Sequence, residues 1–310
     1  MKCDFCSEEA IEFVRYSGAH LCAKHFSEFF ERRVKREIAK QVVLGKNAVI
    51  GIGLSGGKDS SVCTYMLHRI FSRHRGMKIM AITIDEGIKN YRAETITAAK
   101  SLCSKLGIEH HIFSFREVYG ETLDAIVKER KECACTYCGV LRRKALNLGA
   151  RRLKCAVLAT GLNLDDTVQS ILMNFTRGDV EKLARMGPHR HVQPGLVPRI
   201  LPLRSIPERE IYLYALLHQI PFSHAVCPYA DFALRNQYRK IVDELDSQNP
   251  SAKFSILKSY DEILPLLIKK YPQKKLNACR LCGEPAIEEI CKSCELLGKN
   301  KKNLTSSASP

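Results

Sequence analysis

The sequence predicts a doubly wound α/β fold, with a parallel sheet and small metal-binding modules at both ends. Three observations point there. Short apolar runs alternate with helical patterns between residues 48 and 177, a glycine-rich turn joins the first run to the next helix, and paired cysteines lie near both termini. A length of 310 residues suits one large domain with appendages, or two domains. With 45% apolar and 26% charged residues the chain reads as globular, neither disordered nor fibrous.

The elements follow in order. Residues 28–41 read as a basic helix, and 48–54 (Ala-Val-Ile-Gly-Ile-Gly-Leu) as a short apolar run suited to a buried parallel strand. A helix over 60–71, a strand over 78–84 ending in Asp85-Glu86-Gly87, and a helix over 93–106 stopped by Gly107 come next. A strand over 109–114 precedes helices over 118–130 and 141–153, then a strand over 154–160 and a helix over 165–177. Residues 188–207 are a proline-rich loop with one short strand, and helices cover 208–218, 231–246 and 251–270. In such a fold, ligands bind at the carboxyl ends of the strands.

Composition excludes several classes. No apolar run approaches the roughly 18 residues of a membrane helix, and the start, Met1-Lys2-Cys3-Asp4-Phe5-Cys6, lacks the apolar stretch of a secretory signal. A cytoplasmic protein is expected. Lysine plus arginine (49) less aspartate plus glutamate (33) leaves +16. That surplus favours a polyanionic partner, nucleic acid first, against the alternative of a solvated basic surface. Stretches such as Arg32-Arg33-Val34-Lys35-Arg36, Lys269-Lys270 and Lys274-Lys275 are candidates for tracking phosphates.

Fourteen cysteines in a chain without an export signal are expected as thiols, so metal or redox chemistry outranks disulfides. Cys3-x2-Cys6 is followed by Cys22-x2-His25, and Cys279-x2-Cys282 by Cys291-x2-Cys294. Each C-x-x-C knuckle puts two sulfurs on one tight turn, and two pairs complete a tetrahedron around zinc. Four protein ligands leave no open position, so both zinc sites read as structural. A third group, Cys135-x2-Cys138 with Cys227 far downstream and Cys133 just before, has no second knuckle. Three readings stay open for it: a metal site with one vacant corner, a redox pair, or buried thiols. Cys63, Cys103 and Cys155 lie in apolar periodic segments and read as core.

The most informative segment is Gly51-Ile52-Gly53-Leu54-Ser55-Gly56-Gly57-Lys58-Asp59-Ser60. It half-matches a dinucleotide fingerprint, with Asp85 placed for a ribose, and it fails the Walker A pattern at two positions. Read instead as Ser55 to Ser60, two glycines permit a tight turn and bring helix N-terminal amides onto an anion. The serines and Lys58 complete a pyrophosphate cradle.

Ser55-Gly56-Gly57-Lys58-Asp59-Ser60 resembles the PP-loop of N-type ATP pyrophosphatases, and Thr160-Gly161-Leu162-Asn163-Leu164-Asp165-Asp166 resembles their second nucleotide motif, with Leu162 where histidine is common. Cys135-x2-Cys138-Gly139-x2-Arg142-Arg143, Cys227, Asn174-Phe-Thr-Arg177-Gly178-Asp179 and the terminal zinc pairs extend the likeness to tRNA 2-thiouridine synthetases of the TtuA and NcsA type, over residues 3–294. The resemblance implies an ATP-dependent enzyme that adenylates a tRNA uridine at its C2 oxygen and replaces that oxygen with sulfur, releasing AMP and pyrophosphate. It implies a 4Fe-4S cluster on Cys135, Cys138 and Cys227 whose fourth iron can hold a sulfide, with Cys133 outside the pattern. It places ATP on Leu54, Ser55, Gly56, Gly57, Lys58, Asp59, Ser60, Ile84, Gly161 and Asp166. On chemical grounds Asp59 and Asp166 are candidates for magnesium and for orientation, with a helix cap the alternative for such carboxylates. Arg142 and Arg143 are candidates for holding the tRNA backbone or stabilising charge near the cluster, against a plain basic helix face. Implied partners are tRNA, a sulfur donor (a thiocarboxylated ubiquitin-like protein or free sulfide) and a second copy of the chain. Two alternatives stand beside this: a cluster-free persulfide sulfurtransferase, and a non-catalytic zinc-ribbon nucleic-acid-binding protein. The expected organisation is a zinc module over 1–27, a catalytic domain over 28–272, a zinc ribbon over 273–297 and a disordered tail over 298–310.

Overall fold

The computed structural model describes residues 1–189 and 192–298, so the expected tail lies, from residue 299 on, outside the described residues. Five parallel strands form the central sheet: β3 (Val49–Gly53), β4 (Lys78–Asp85), β5 (Glu109–Ser114), β6 (Val157–Thr160) and β7 (Arg199–Ile200), in the order β5-β4-β3-β6-β7. Strands β1 (Glu12–Val14) and β2 (Ala19–Leu21) make an N-terminal antiparallel hairpin, and β8 (Asn277–Ala278) and β9 (Pro285–Ala286) a C-terminal one.

The order reverses direction between β3 and β6. A crevice opens there because the connections after the two strands leave to opposite sides. The segments that follow them, residues 54–60 and 160–166, are the two motifs singled out above.

Helices cover both faces. On one, α1 (Ala23–Gln41), α2 (Lys58–Phe71), α3 (Arg92–Leu106) and α9 (Glu208–Leu217) contribute to a core with Phe26, Phe30, Met66, Tyr214, Ile50 and Ile52, all fully buried. On the other, α4 (Phe115–Tyr119), α5 (Leu123–Ile126) and α6 (Ala134–Arg152) pack Phe115, Leu141 and Ala145 against Ile82 and Leu158. Coverage on both faces explains why β3 and β4 read as continuous apolar runs, each buried large side chain contributing about 1.5–3 kcal/mol. A third core joins α7 (Leu164–Thr176) and α8 (Val180–Ala184) to α10 (Arg235–Gln248) and α11 (Ala252–Lys270). Helix α12 (Lys292–Leu296) ends the described chain. Among the described residues no helix is long and apolar enough to cross a membrane.

Three expectations need correction. The helix expected over 118–130 is two short helices, because Gly120 turns the chain at φ 90 and Thr122 caps a new start. Helix α6 begins at Ala134, not at residue 141, so Cys135 and Cys138 sit in its first turns. Its opening residues carry no apolar periodicity to announce it. Helix α1 likewise begins at Ala23, not at residue 28, with Cys22 as its N-cap.

Candidate functional site

A cavity of about 460 Å³ lies at the carboxyl ends of β3, β4 and β6, within the usual range for ligand sites. Ser55, Gly57, Asp59 and Ser60 form its floor, Ile84 and Gly161 its sides. Helix α2 starts on Gly57, whose position receives no side-chain cap, so its first amides lack an internal partner and suit an anion. The hydroxyls of Ser55 and Ser60 are hydrogen-bonded at 2.9 Å, and Ser60 Oγ accepts from the Ser55 amide at 3.1 Å.

Two glycines are required by close approach. Gly56 has φ +89, and a Cβ there would overlap the Thr95 carbonyl on α3. At Gly161 a Cβ would lie 2.8 Å from the backbone of Asp59 and Ser60. These contacts hold the two motifs against each other and against α3.

Lys58 Nζ donates to both Asp59 carboxylate oxygens at 3.1 Å and to Glu208 Oε1 at 2.6 Å. Burial works against its charge, but the two carboxylates outweigh it and raise its pKa. Burial raises that of Asp59, and nearby Asp166 and Glu208 add to the shift against the Lys58 attraction. Asp59 thus carries the repulsion of two further carboxylates beside the phosphate cradle, each of them paired with a cation: Glu208 with Lys58 and Arg239, and Asp166 with Arg235. Asn163 and Asp166 form the capping box of α7, and Asp166 Oδ1 accepts from Arg235 at 2.9 Å. Asp165 pairs with Lys253 at 2.5 Å and accepts from the Glu208 amide, a purely structural placement. Asp85 caps the turn at Gly87, so the dinucleotide alternative loses its ribose ligand.

Sequence reasoning missed the groups that arrive from elsewhere. Glu86, buried, pairs with Arg92 Nε at 2.8 Å and with Arg142 Nη1 at 3.5 Å. Arg92 in turn donates to the Ser55 and Ile84 carbonyls at 3.1 and 2.5 Å. One carboxylate thus joins the phosphate loop, the end of β4 and Arg142. Removing it leaves two guanidiniums uncompensated. Glu86→Gln is expected to destabilise the protein by about 3 kcal/mol in urea unfolding; an unchanged midpoint and slope would contradict this role.

Cys135, Cys138 and Arg142 fall on one stripe of α6 at helical spacing. The strand of chain after α9 returns Cys227 to them: Cys135 Sγ donates to the carbonyl of Tyr229 at 3.4 Å, and Tyr229 Oη donates to Asp124. Burial pushes the Cys138 thiol up to about 11 despite Arg142, and raises those of Cys135 and Cys227. The three are not among the groups whose ligand atoms lie within 4.8 Å of one another, the spacing that suits one ion. Cys135 and Cys138 in the first turns of α6, with Cys227 brought near them, are a soft sulfur donor set of the kind that holds iron–sulfur clusters, at a helix N-terminus that favours anionic groups.

The terminal sets are compact. Cys3, Cys6, Cys22 and His25 form one group and Cys279, Cys282, Cys291 and Cys294 another, all ligand atoms within 4.8 Å in each. In both, the third ligand caps a helix and the fourth stands in its first turn. Despite burial, backbone amides of Cys22 and Phe5 bring Cys3 down to about 6, and those of Cys291 and Leu281 do the same for Cys279. Thiolates so stabilised suit tetrahedral metal binding. Lys144 of α6 donates to Cys282 Sγ at 3.1 Å, and Arg151 pairs with Glu284, docking the C-terminal set on the helix that carries Cys135 and Cys138. Chelation is therefore expected to release close to two metal ions per chain and to expose Lys144 to modification. Retention of a folded C-terminal module without metal, seen as unchanged amide protection there, would contradict it.

The basic stretches are not alike. Arg33 is drawn inward, donating to Glu210 and to the Ser205 carbonyl, so the stretch that contains it loses one candidate phosphate contact. Arg32, Arg36, Lys269 and Lys270 are exposed.

A PP-loop domain model matches residues 27–245, and a model described as the N-terminal LIM domain of 2-thiouridine synthetase TtuA matches residues 2–27. A tRNA 2-thiolation protein NcsA from Haloferax volcanii is 36% identical over 96% of this chain and 98% of its own. A tRNA-5-methyluridine(54) 2-sulfurtransferase from Pyrococcus horikoshii is 32% identical over 97% and 95%. The structure of the U34-tRNA thiolase NcsA from Methanococcus maripaludis, solved with its [4Fe-4S] cluster, superposes with a TM-score of 0.84 at 36% identity, covering 97% of this chain and 96% of that one.

Proposed function

The chain belongs to the PP-loop family of tRNA 2-thiolation proteins, and from that premise we propose that it is an ATP-dependent tRNA-uridine 2-sulfurtransferase. The observation that carries the reading is the continuity of one cavity, from the uncapped start of α2 to Gly139 and Arg142, the helical turn beside Cys138.

Chemistry requires both ends. The C2 oxygen of uracil is a poor leaving group. Attack of that oxygen on the α-phosphorus of ATP breaks the bond to pyrophosphate and leaves AMP on the base. A sulfur nucleophile then adds at C2, and AMP departs with the oxygen. Ser55, Ser60, Lys58 and the first amides of α2 would hold the phosphates and the charge of the departing pyrophosphate. A magnesium ion would be held by Asp59 and Asp166, helping neutralise that charge. Ile84 would border the adenine, its carbonyl fixed by Arg92. Arg142, half-exposed and tied to Glu86, is placed to stabilise negative charge between the two reaction centres.

Cys135, Cys138 and Cys227 would hold a 4Fe-4S cluster. Bound there, it would present an iron without a protein ligand, on which inorganic sulfide can be delivered to C2. The terminal sets would hold zinc and serve structure. Proposed partners are tRNA, a second copy of the chain, and a sulfur donor, either a thiocarboxylated ubiquitin-like protein or free sulfide.

The test is mass-spectrometric mapping of tRNA from a deletion strain. Loss of a 2-thiouridine species, restored by the wild-type gene, is expected. An unchanged set of thiolated nucleosides would refute the reading, and the position lost separates the wobble site from the T-loop.

A further inference from the structure

Five guanidiniums line the same cavity, and they divide into two kinds. Arg92 and Arg142 are paired with Glu86, and Arg235 with Asp166. Arg143 and Arg199 have no carboxylate within 4.0 Å among the described residues. They come from different elements: Arg143 is exposed on α6, and Arg199 is partly buried on the edge strand β7. Arg199 Nη2 donates to the Arg143 carbonyl at 3.5 Å, and its backbone exchanges both hydrogen bonds with His189 at 3.0 Å. Two cations thus line the cavity that also carries Gly139, Arg142 and the PP-loop residues, near enough for the charge of Arg143 to act on Arg199.

Holding like charges together without a counter-ion is unfavourable, and a fold that does so in a cavity wall has a place for an anion. The phosphates of ATP already have a complete cradle: two serines, Lys58 and the start of α2. A base undergoing chemistry must leave its stack, and its flanking phosphates then need a fixed seat. Arginine's planar fork suits a phosphate better than lysine does.

We propose that Arg143 and Arg199 form an anion subsite for a backbone phosphate of the RNA beside the reacting uridine, separate from the phosphate cradle of the nucleotide. This rests on the proposed thiolation of tRNA and deepens it. Partial desolvation lowers both guanidinium pKa values, helped by Arg142 and Arg235 at Arg143 and by Arg143 at Arg199, which is the direction for cations awaiting an anion. His189 sits beside them, kept neutral in the same way by burial and by Arg199, and adds no competing charge.

The experiment uses the full chain and an unmodified tRNA transcript, with affinity measured over a series of salt concentrations. Arg199→Gln and Arg143→Gln are each expected to weaken binding about tenfold and to flatten the slope of log affinity against log salt by about 1. Arg199→Lys should keep the slope and lose a smaller factor, because the charge remains and the fork is gone. Affinity for magnesium-ATP should stay within about twofold in all three. Unchanged transcript binding in the glutamine variants would overturn the subsite. So would a tenfold loss of ATP affinity in a protein with an intact unfolding transition, because the arginines would then belong to the nucleotide. Failure of the wild-type chain to bind the transcript at all would instead remove the thiolation reading on which the subsite depends.

Discussion

Replacing Cys138 by alanine is expected to abolish thiolation while leaving ATP binding within about twofold of the wild type. Cys138 is not part of the cavity wall over the phosphate loop, so the nucleotide loses no contact. It is one of the three thiols proposed to hold the cluster at the start of α6, where Cys133 is the helix N-cap, and a cubane with two protein thiolates has one more unanchored iron than with three. Protein purified without oxygen should therefore lose the visible absorption of an iron–sulfur centre together with its activity. Cys63→Ala is the matched control. That thiol is on the buried face of α2, in the core, and burial holds its pKa far above the usual thiol range. Its removal should cost about 1–2 kcal/mol of stability and leave the absorption in place. A Cys138→Ala protein that still forms 2-thiouridine at the normal rate would remove the cluster from the reaction, and a Cys135–Cys138 disulfide with it.

Gly56→Ala is expected to weaken ATP binding by at least about a hundredfold, close to 3 kcal/mol. Two independent penalties meet at this residue. A left-handed φ of 89 disfavours any side chain, by about 1–2 kcal/mol, and the added methyl would overlap the Thr95 carbonyl on α3. Relief requires the loop to move away from α3. That movement breaks the Arg92 bond to the Ser55 carbonyl and the bond from the Ser223 amide to the Gly56 carbonyl. The latter lies four residues from Cys227, so the strap to the thiol group should loosen as well. Titration calorimetry with magnesium-ATP checks the affinity. Near-wild-type binding would show that the loop tolerates another path, and the close packing against α3 would lose its assigned importance.

Local spacing made much of the site legible. Cys-x-x-Cys pairs place two sulfurs on one turn whatever the rest of the chain does, and Ser55 to Ser60 needs only the strand before it and the helix after it to become a phosphate loop. Asn163 and Asp166, three residues apart, announce a helix start and prove to be one. What escaped notice has no such signature. Arg33 looked like part of a basic stretch and instead fills an internal position against Glu210, 177 residues away. Helix α6 begins where the pattern is cysteines and polar residues, because its first turns are organised by what they gather and not by a buried apolar stripe. Helix 118–130 broke because a single Gly-Glu-Thr step outweighed a weak helical period.

Residue order alone was enough to announce a parallel α/β core, two compact four-ligand sets and a phosphate loop. Each is signalled by a pattern among residues a few positions apart, even where its contacts are distant. Tertiary structure alone decided that Glu208 reaches Lys58 across 150 residues, that Glu86 binds Arg92 and Arg142 together, and that Arg143 and Arg199 line one cavity without a counter-charge. Those pairings arise from the reversal of strand order between β3 and β6, which brings distant loops to one crevice. A charge carries no mark in the sequence of the partner that folding will bring to it.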